Sequence, residues 1–180
     1  MCCGFWSGIS LKESDAEFDE FVAAMSLPLL KTARLLTGDW HLGEDLAQVT
    51  LVKVYRHWAR IEHRDSPVDY ARKVMVNTYL TWRRRRWRGE VPAPVLPEVR
   101  DRSDVAEAVA AVDELQRALL ALPRRQRAVV VLRFYEDLTV AQTAAALDCP
   151  EGTVTSLTAR ALTRLRSSSM LRPETVEGRK

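Results

Sequence analysis

Glycine is scarce in this chain, with seven in 180 residues. None of them gathers into the glycine-rich loop that cradles phosphates, so a mononucleotide- or dinucleotide-binding signature is excluded. Cysteine is scarcer still: Cys2, Cys3 and Cys149 form no Cys-x-x-Cys pair. That removes a disulfide framework and favours a reducing, cytoplasmic setting. The three histidines, His41, His57 and His63, are scattered, with none at helical i, i+4 spacing and no cysteine beside them. No metal and no cofactor are expected. No serine lies in a Gly-x-Ser-x-Gly context. The neighbouring acids Glu44 and Asp45 would point different ways on a helix, which suits surface charge better than acid–base work. An enzyme is not expected. No apolar run approaches the ~18 residues of a transmembrane helix. Met1–Leu11 lacks the basic start and apolar centre of a signal peptide.

What is abundant points to helices. Hydrophobic residues make up 47% of the chain, too many for a disordered protein. Alanine, leucine and arginine are common, which favours an all-α fold. The net charge is only +3, but it is unevenly placed. Basic residues concentrate in Arg72–Arg88 and Arg117–Arg133, acidic ones in Glu13–Glu20 and Glu98–Glu114. Such segregation suggests a polyanionic partner, with an acidic segment kept apart from it. Pro92, Pro94 and Pro97 stop any helix from crossing the middle of the chain. The expected organisation is two small helical domains, residues 14–89 and 108–170. An extended acidic linker over 90–107 joins them, and 1–13 and 171–180 are expected as disordered tails.

In the first block, Ser14 and Glu17 have capping-box spacing, and Pro28 is expected to kink or break the helix they open. Gly38 suits a helix C-terminus and Asp39 the next N-cap. The following helix carries two apolar stripes, Leu42, Leu46 and Val49, then Leu51, Val54, Tyr55 and Trp58. Either it binds something on its second face or it is a central core helix. Ser66-Pro67 with Asp69 then makes a standard start. That helix runs into Trp82, Arg83, Arg84, Arg85, Arg86, Trp87 and Arg88, five arginines in six residues from 83 to 88. Their mutual repulsion is relieved when phosphates neutralise them. The interleaved Tyr79, Trp82 and Trp87 offer stacking surfaces for unpaired bases. A solvated basic helix end would look similar.

In the second block, Thr139 and Gln142 form a capping box ahead of a small-residue face. Asp148-Cys149-Pro150-Glu151-Gly152 breaks the helix, and another follows from about Thr153. Val154, Thr158, Ala161 and Leu165 make its inward stripe, while Arg160, Arg164 and Arg166 decorate the rest. This is the pattern of a helix-turn-helix with a basic second helix, suited to the DNA major groove. An ordinary helical hairpin is the plainer alternative.

On these residues the chain resembles the extracytoplasmic-function (ECF) sigma factors of bacterial RNA polymerase, within the sigma-70 family. LLTGDWHLGEDLAQVTLVKVYRHW is similar to the family's core-binding helices, DYARKVMVNTYLTWRRRRWR to its −10 region, and LPRRQRAVVVLRFYEDLTVAQTAAALDCPEGTVTSLTARALTRLR to its −35 domain. The first phrase is most like a branch common in high-GC bacteria. The resemblance implies docking on the clamp helices through Glu44, Asp45, Gln48, Lys53 and Arg56, with the second domain on the polymerase flap. It implies that Asn77 contacts the non-template strand, with Tyr79, Thr81, Trp82 and the arginine run beside it. The loop Arg60–Asp65, with Ile61 and His63, would receive a flipped base. Thr153, Thr155, Ser156, Leu157 and Arg160 would touch the −35 major groove, and the acidic linker would thread the polymerase channels. Two positions depart from the family: Thr155 where a lysine is usual, and Leu157 where arginine or glutamine is usual. Both losses weaken phosphate and guanine contacts. Promoter DNA, core polymerase and an anti-sigma factor are the implied partners, with no membrane insertion. The competing reading is a free-standing helix-turn-helix regulator. A simple repressor has no need of the arginine–tryptophan helix.

Overall fold

The computed structural model describes residues 11–61, 66–86 and 114–167, which are helices and turns with no strand among them. The first helix, α1, spans Leu11–Thr37. It begins upstream of Ser14, because Leu11, Lys12 and Glu13 all favour helix, so Ser14 sits inside it rather than capping it. Nor does Pro28 break it. Pro28 and Ala24, whose carbonyl loses its partner there, both face solvent, so water can satisfy that oxygen. The helix ends where Gly38 adopts φ +79 and returns its N–H to the Arg34 carbonyl at 2.8 Å. Asp39 then caps α2 (Trp40–Tyr55), its Oδ1 accepting the Leu42 N–H at 2.7 Å. Gly43 lets α1 and α2 approach closely, since a Cβ there would lie 2.9 Å from Arg34 Cγ. A single turn, α3 (Trp58–Ile61), precedes α4 (Pro67–Arg86), which opens with proline at its first position and Asp69 in its first turn.

The second unit begins with helical residues 114–120, α5. Pro123 turns the chain into α6 (Arg124–Val130), which widens into a π-helical turn over Val131–Tyr135. α7 (Val140–Leu147) carries the expected capping box, with both reciprocal hydrogen bonds formed between Thr139 and Gln142. Asp148 closes it in the left-handed region at φ 50, and α8 follows over Glu151–Ser167. The two-residue lead over the expected start at Thr153 places Glu151 in its first turn.

Within the first unit α2 lies between α1 and α4; within the second, α8 packs on α6 and α7. Val129, Ala144 and Val154 fill the angle of the helix-turn-helix. The two units also pack on each other. α4 meets α7, and α1 meets α6 and the π turn. One continuous apolar cluster runs from Leu36, Leu46 and Met75 to Leu119, Leu132 and Leu165. The linker over 90–107, the tail over 171–180 and residues 1–10 of the tail expected over 1–13 lie outside the described residues; residues 11–13 of that tail are instead the first of α1. The units that linker joins are in contact rather than apart.

Candidate nucleic-acid interface

Three exposed surfaces carry the residues singled out from the sequence. The first is the outer face of α2. Gly43, Leu46, Ala47, Thr50 and Val54 turn inward at helical spacing. Asp45, Gln48, Val49, Val52 and Arg56 therefore share the opposite, solvent-facing side. Val52 is 52% exposed, so this face has an apolar centre with charges above and below it. Neither stripe expected on α2 is a single face: Leu46 and Val54 are buried, Val49 and Tyr55 are exposed, and Trp58 belongs to α3. Glu44 sits at the edge, 3.7 Å from His41. Lys53 does not join this face; its Nζ donates to Thr78 Oγ1 at 2.7 Å, on the α4 side.

The second surface is a groove of about 310 Å³ between α2 and α4, lined by Lys53, Tyr70, Lys73, Val74, Asn77, Thr78 and Thr81. It holds two cations, an aromatic ring and an amide, and no carboxylate. Phosphate and an unpaired base are the chemistry it suits. Two of the expected strand-contacting residues cannot reach it. Tyr79 is 0% exposed and Ile61 3%. Both occupy the inward stripe of their helices, where an apolar ring or side chain contributes more by burial than by display. Burial raises the Tyr79 phenol above its ordinary value, against the lowering influence of Arg127 and Arg124. Trp82 is half-buried against the core. Arg60 is exposed. His63, Trp87 and Arg88 lie outside the described residues, and of Arg83–Arg86 only the helical backbone is described.

The third surface is α8. Val154, Ala161 and Leu165 are buried, which leaves Thr155, Ser156 and Arg160 on the outer side and Thr153 at its margin. Thr155 and Ser156 each return their hydroxyl to the backbone one turn earlier, at 3.1 and 3.0 Å. Leu157 is half-buried against the Val129–Val154 cluster, so only part of it faces outward.

Sequence reasoning missed the polar contacts between the two units. The Glu136 carboxylate accepts from Arg72 Nε at 2.7 Å and from the Thr32 hydroxyl. Arg124 lies over the Tyr79 ring, 4.6 Å from its centroid, and donates to the Tyr79 carbonyl at 3.0 Å. Arg127 is buried, and its guanidinium donates to the carbonyls of Leu36, Leu119, Leu120 and Leu122. Burial pulls its pKa below the usual arginine value, although it stays charged at any ordinary pH. Gln116 reaches the Arg34 carbonyl at 3.2 Å. A Cβ on Gly38 would lie 2.2 Å from Leu120 Cδ2, so the bare glycine is what admits that leucine. Long-range pairs of this kind leave no local spacing to read.

Comparison with known proteins gives a consistent picture. The family models "Sigma-70 region 2" and "Sigma-70, region 4" match residues 21–89 and 112–165. The RNA polymerase sigma-E factor of Streptomyces coelicolor is 40% identical over 156 residues, 87% of this chain and 88% of that protein. The ECF RNA polymerase sigma factor SigM of Mycobacterium tuberculosis is 32% identical over 150 residues, 82% and 74% respectively. In fold, the chain is similar to the sigma factor RpoE of Bartonella quintana, solved in complex with the anti-sigma factor NepR. The TM-score is 0.67 at 21% identity, over 84% of this chain and 95% of that one. CnrH, solved with the cytosolic domain of CnrY, gives 0.60 at 18% identity, over 85% and 87%. Among the described residues no helix is long and apolar enough to cross a membrane.

Proposed function

The chain belongs to the sigma-70 family, among its ECF members, and from that premise we propose that it is a promoter-specificity subunit that docks on core RNA polymerase, reads two promoter elements and helps open the duplex. It catalyses nothing itself, and it works in the cytoplasm, beside the chromosome. The supporting observation is that one chain presents two different nucleic-acid surfaces. The α8 face, with Thr155, Ser156 and Arg160 outward, is shaped for the major groove of the −35 element. The α2–α4 groove, with Lys53, Lys73 and Asn77, suits the unpaired non-template strand of the −10 element. The exposed α2 stripe around Val49 and Val52 is left for the clamp helices of the polymerase, with Asp45, Gln48 and Arg56 setting orientation. A free-standing repressor would have no use for that stripe or for the groove.

Control by an anti-sigma factor fits this reading, since the similar RpoE of Bartonella quintana was solved with the anti-sigma factor NepR. Thr155 and Leu157, in place of longer polar residues, leave Arg160 as the main side chain for guanine on α8. The test is run-off transcription with purified core polymerase, followed by mapping of start sites. Discrete starts preceded by a shared pair of sequence elements are expected, with tight promoter binding only when core is present. Specific duplex binding without core, on a palindrome, would overturn the proposal in favour of a regulator.

A further inference from the structure

We infer that Gln126 is the positioning residue for Arg160: its amide oxygen anchors one edge of the guanidinium while the other edge reads a base. This rests on the promoter reading proposed above and deepens it, naming what makes that reading selective. Gln126 lies on α6, which packs against α8. It is 7% exposed, and its Oε1 is buried with no hydrogen-bond partner among the described residues. An acceptor that has given up water without gaining a donor opposes folding, and such orphans are few in a folded protein. The partner has to come from what lines its surroundings. Gln126 shares a groove of about 330 Å³ with Ala159, Arg160, Thr163 and Arg164 of α8. Ala159 offers only a methyl group. The Thr163 hydroxyl is turned to its own helix, donating to the Ala159 carbonyl at 3.0 Å. The two guanidinium groups are the donors that remain, and no carboxylate lines the groove to draw them off.

Arg160 and Arg164 stand one turn apart on the edge of α8 that borders α6. The N-terminal half of a recognition helix enters the major groove most deeply, so Arg160 faces base edges and Arg164 the phosphates further along. Arg160 is exposed and makes no hydrogen bond or ion pair among the described residues. A side chain so free gives up rotamer entropy when it settles on a base. Freedom also blurs the reading. Facing a wrong base, an untethered guanidinium swings to the nearest phosphate and keeps a charged contact there. Tethered at Nε to the Gln126 oxygen, it still presents its terminal nitrogens to guanine O6 and N7, and it has nowhere to retreat. Gln126 therefore acts on discrimination more than on affinity.

Competition binding with the full chain on core polymerase tests this. The probe is a duplex promoter fragment from a mapped start, with each −35 base pair replaced in turn. Arg160→Ala marks the position that Arg160 reads. There the parent should prefer its best base by about tenfold or more. Gln126→Met keeps the length of the side chain and removes the acceptor. Preference at that one position should fall to about threefold or less, while the other −35 positions hold. Gln126→Glu keeps an acceptor and should retain the parent's preference. In an Arg160→Ala background Gln126→Met should change nothing further, whereas in an Arg164→Ala background its effect should persist. The urea midpoint of Gln126→Met should equal or exceed the parent's, since an unpaired buried acceptor is gone. Undiminished preference in Gln126→Met overturns the inference. So does an even weakening across all positions, a midpoint well below the parent's, a glutamate variant that loses as much as the methionine one, or an effect that follows Arg164. Arg160→Ala without effect at any −35 position refutes the base-reading role proposed for Arg160, and the anchoring falls with it.

Discussion

Arg127 is the most exacting position in the described fold. Its guanidinium is buried and meets no carboxylate among the described residues, and the charge is met by four backbone carbonyls at 2.8, 2.8, 2.8 and 3.3 Å. Two of those oxygens, on Leu119 and Leu120, end α5, that of Leu122 lies in the turn after it, and the fourth, on Leu36, ends α1. Both helix ends place partial negative charge there, so a cation is doubly suited. Arg127→Met keeps the stem and removes every donor. Four hydrogen bonds at about 1 kcal/mol each give a gross loss of ~4 kcal/mol, and relief of the buried charge returns about 1–2 kcal/mol. The net loss should be ~2–3 kcal/mol. With a urea dependence of ~2 kcal/mol per molar, the unfolding midpoint should fall by about 1–1.5 M. Far-ultraviolet circular dichroism during urea titration reads this directly. Arg127→Lys should recover less than half, because an ammonium cannot fork to carbonyls on two helices. A methionine variant within about 0.5 kcal/mol of the parent would refute the claim that these carbonyls depend on the guanidinium.

Four further outcomes are expected. The Tyr79 hydroxyl is buried with no hydrogen-bond partner among the described residues, so Tyr79→Phe should be neutral or stabilising by up to ~1 kcal/mol in the same titration. Because burial raises the Tyr79 pKa, the fold favours the neutral phenol. The parent should lose stability above about pH 10, where the unfolded phenol ionises, and the phenylalanine variant should lose less. Asp39→Ala removes the N-cap of α2 and should cost about 1 kcal/mol, measured as a shift in thermal midpoint; no shift would mean the cap is dispensable. Val52→Asp should leave helicity intact and weaken co-elution with core polymerase at least tenfold, and undiminished co-elution would remove α2 from the docking face. Arg160→Ala should weaken promoter binding by the holoenzyme and relax base preference within the −35 element, read by competition among mutated promoters.

Much of the local structure was legible because its causes are local. The Asp39 cap, the Gly38 terminus, the Thr139–Gln142 box and the buried α8 stripe through Val154, Ala161 and Leu165 all follow from spacing within one or two turns. Errors came where tertiary context outweighed spacing. Ser14 has the spacing of a cap but lies inside α1, because Leu11, Lys12 and Glu13 before it also favour helix. Pro28 looked like a break because its solvent-facing position could not be known. Tyr79 read as a stacking platform since it shares a stretch with Trp82 and the arginines. Its burial depends on residues of the other unit, Arg124 and Arg127. Lys53 lies one residue past Val52, and that step of about 100° around α2 turned it from the docking face toward Thr78. The pairing of Glu136 with Arg72 spans 64 positions and has no signature in a single sequence.

The meeting of the two units is lopsided in a way that shapes how it tolerates change. Gln116, Arg124 and Arg127 all reach across from the second unit, and what they grasp on the first is main-chain oxygen, at Arg34, Tyr79 and Leu36. A carbonyl is the same whichever side chain hangs beside it. Substitutions at positions 34, 36 and 79 that keep their helices intact therefore leave these bonds available, whereas replacing a donor deletes its bond outright. Drift in this molecule can therefore rewrite the first unit where only its carbonyls are held, but not at Arg72 and Thr32, whose side chains meet Glu136.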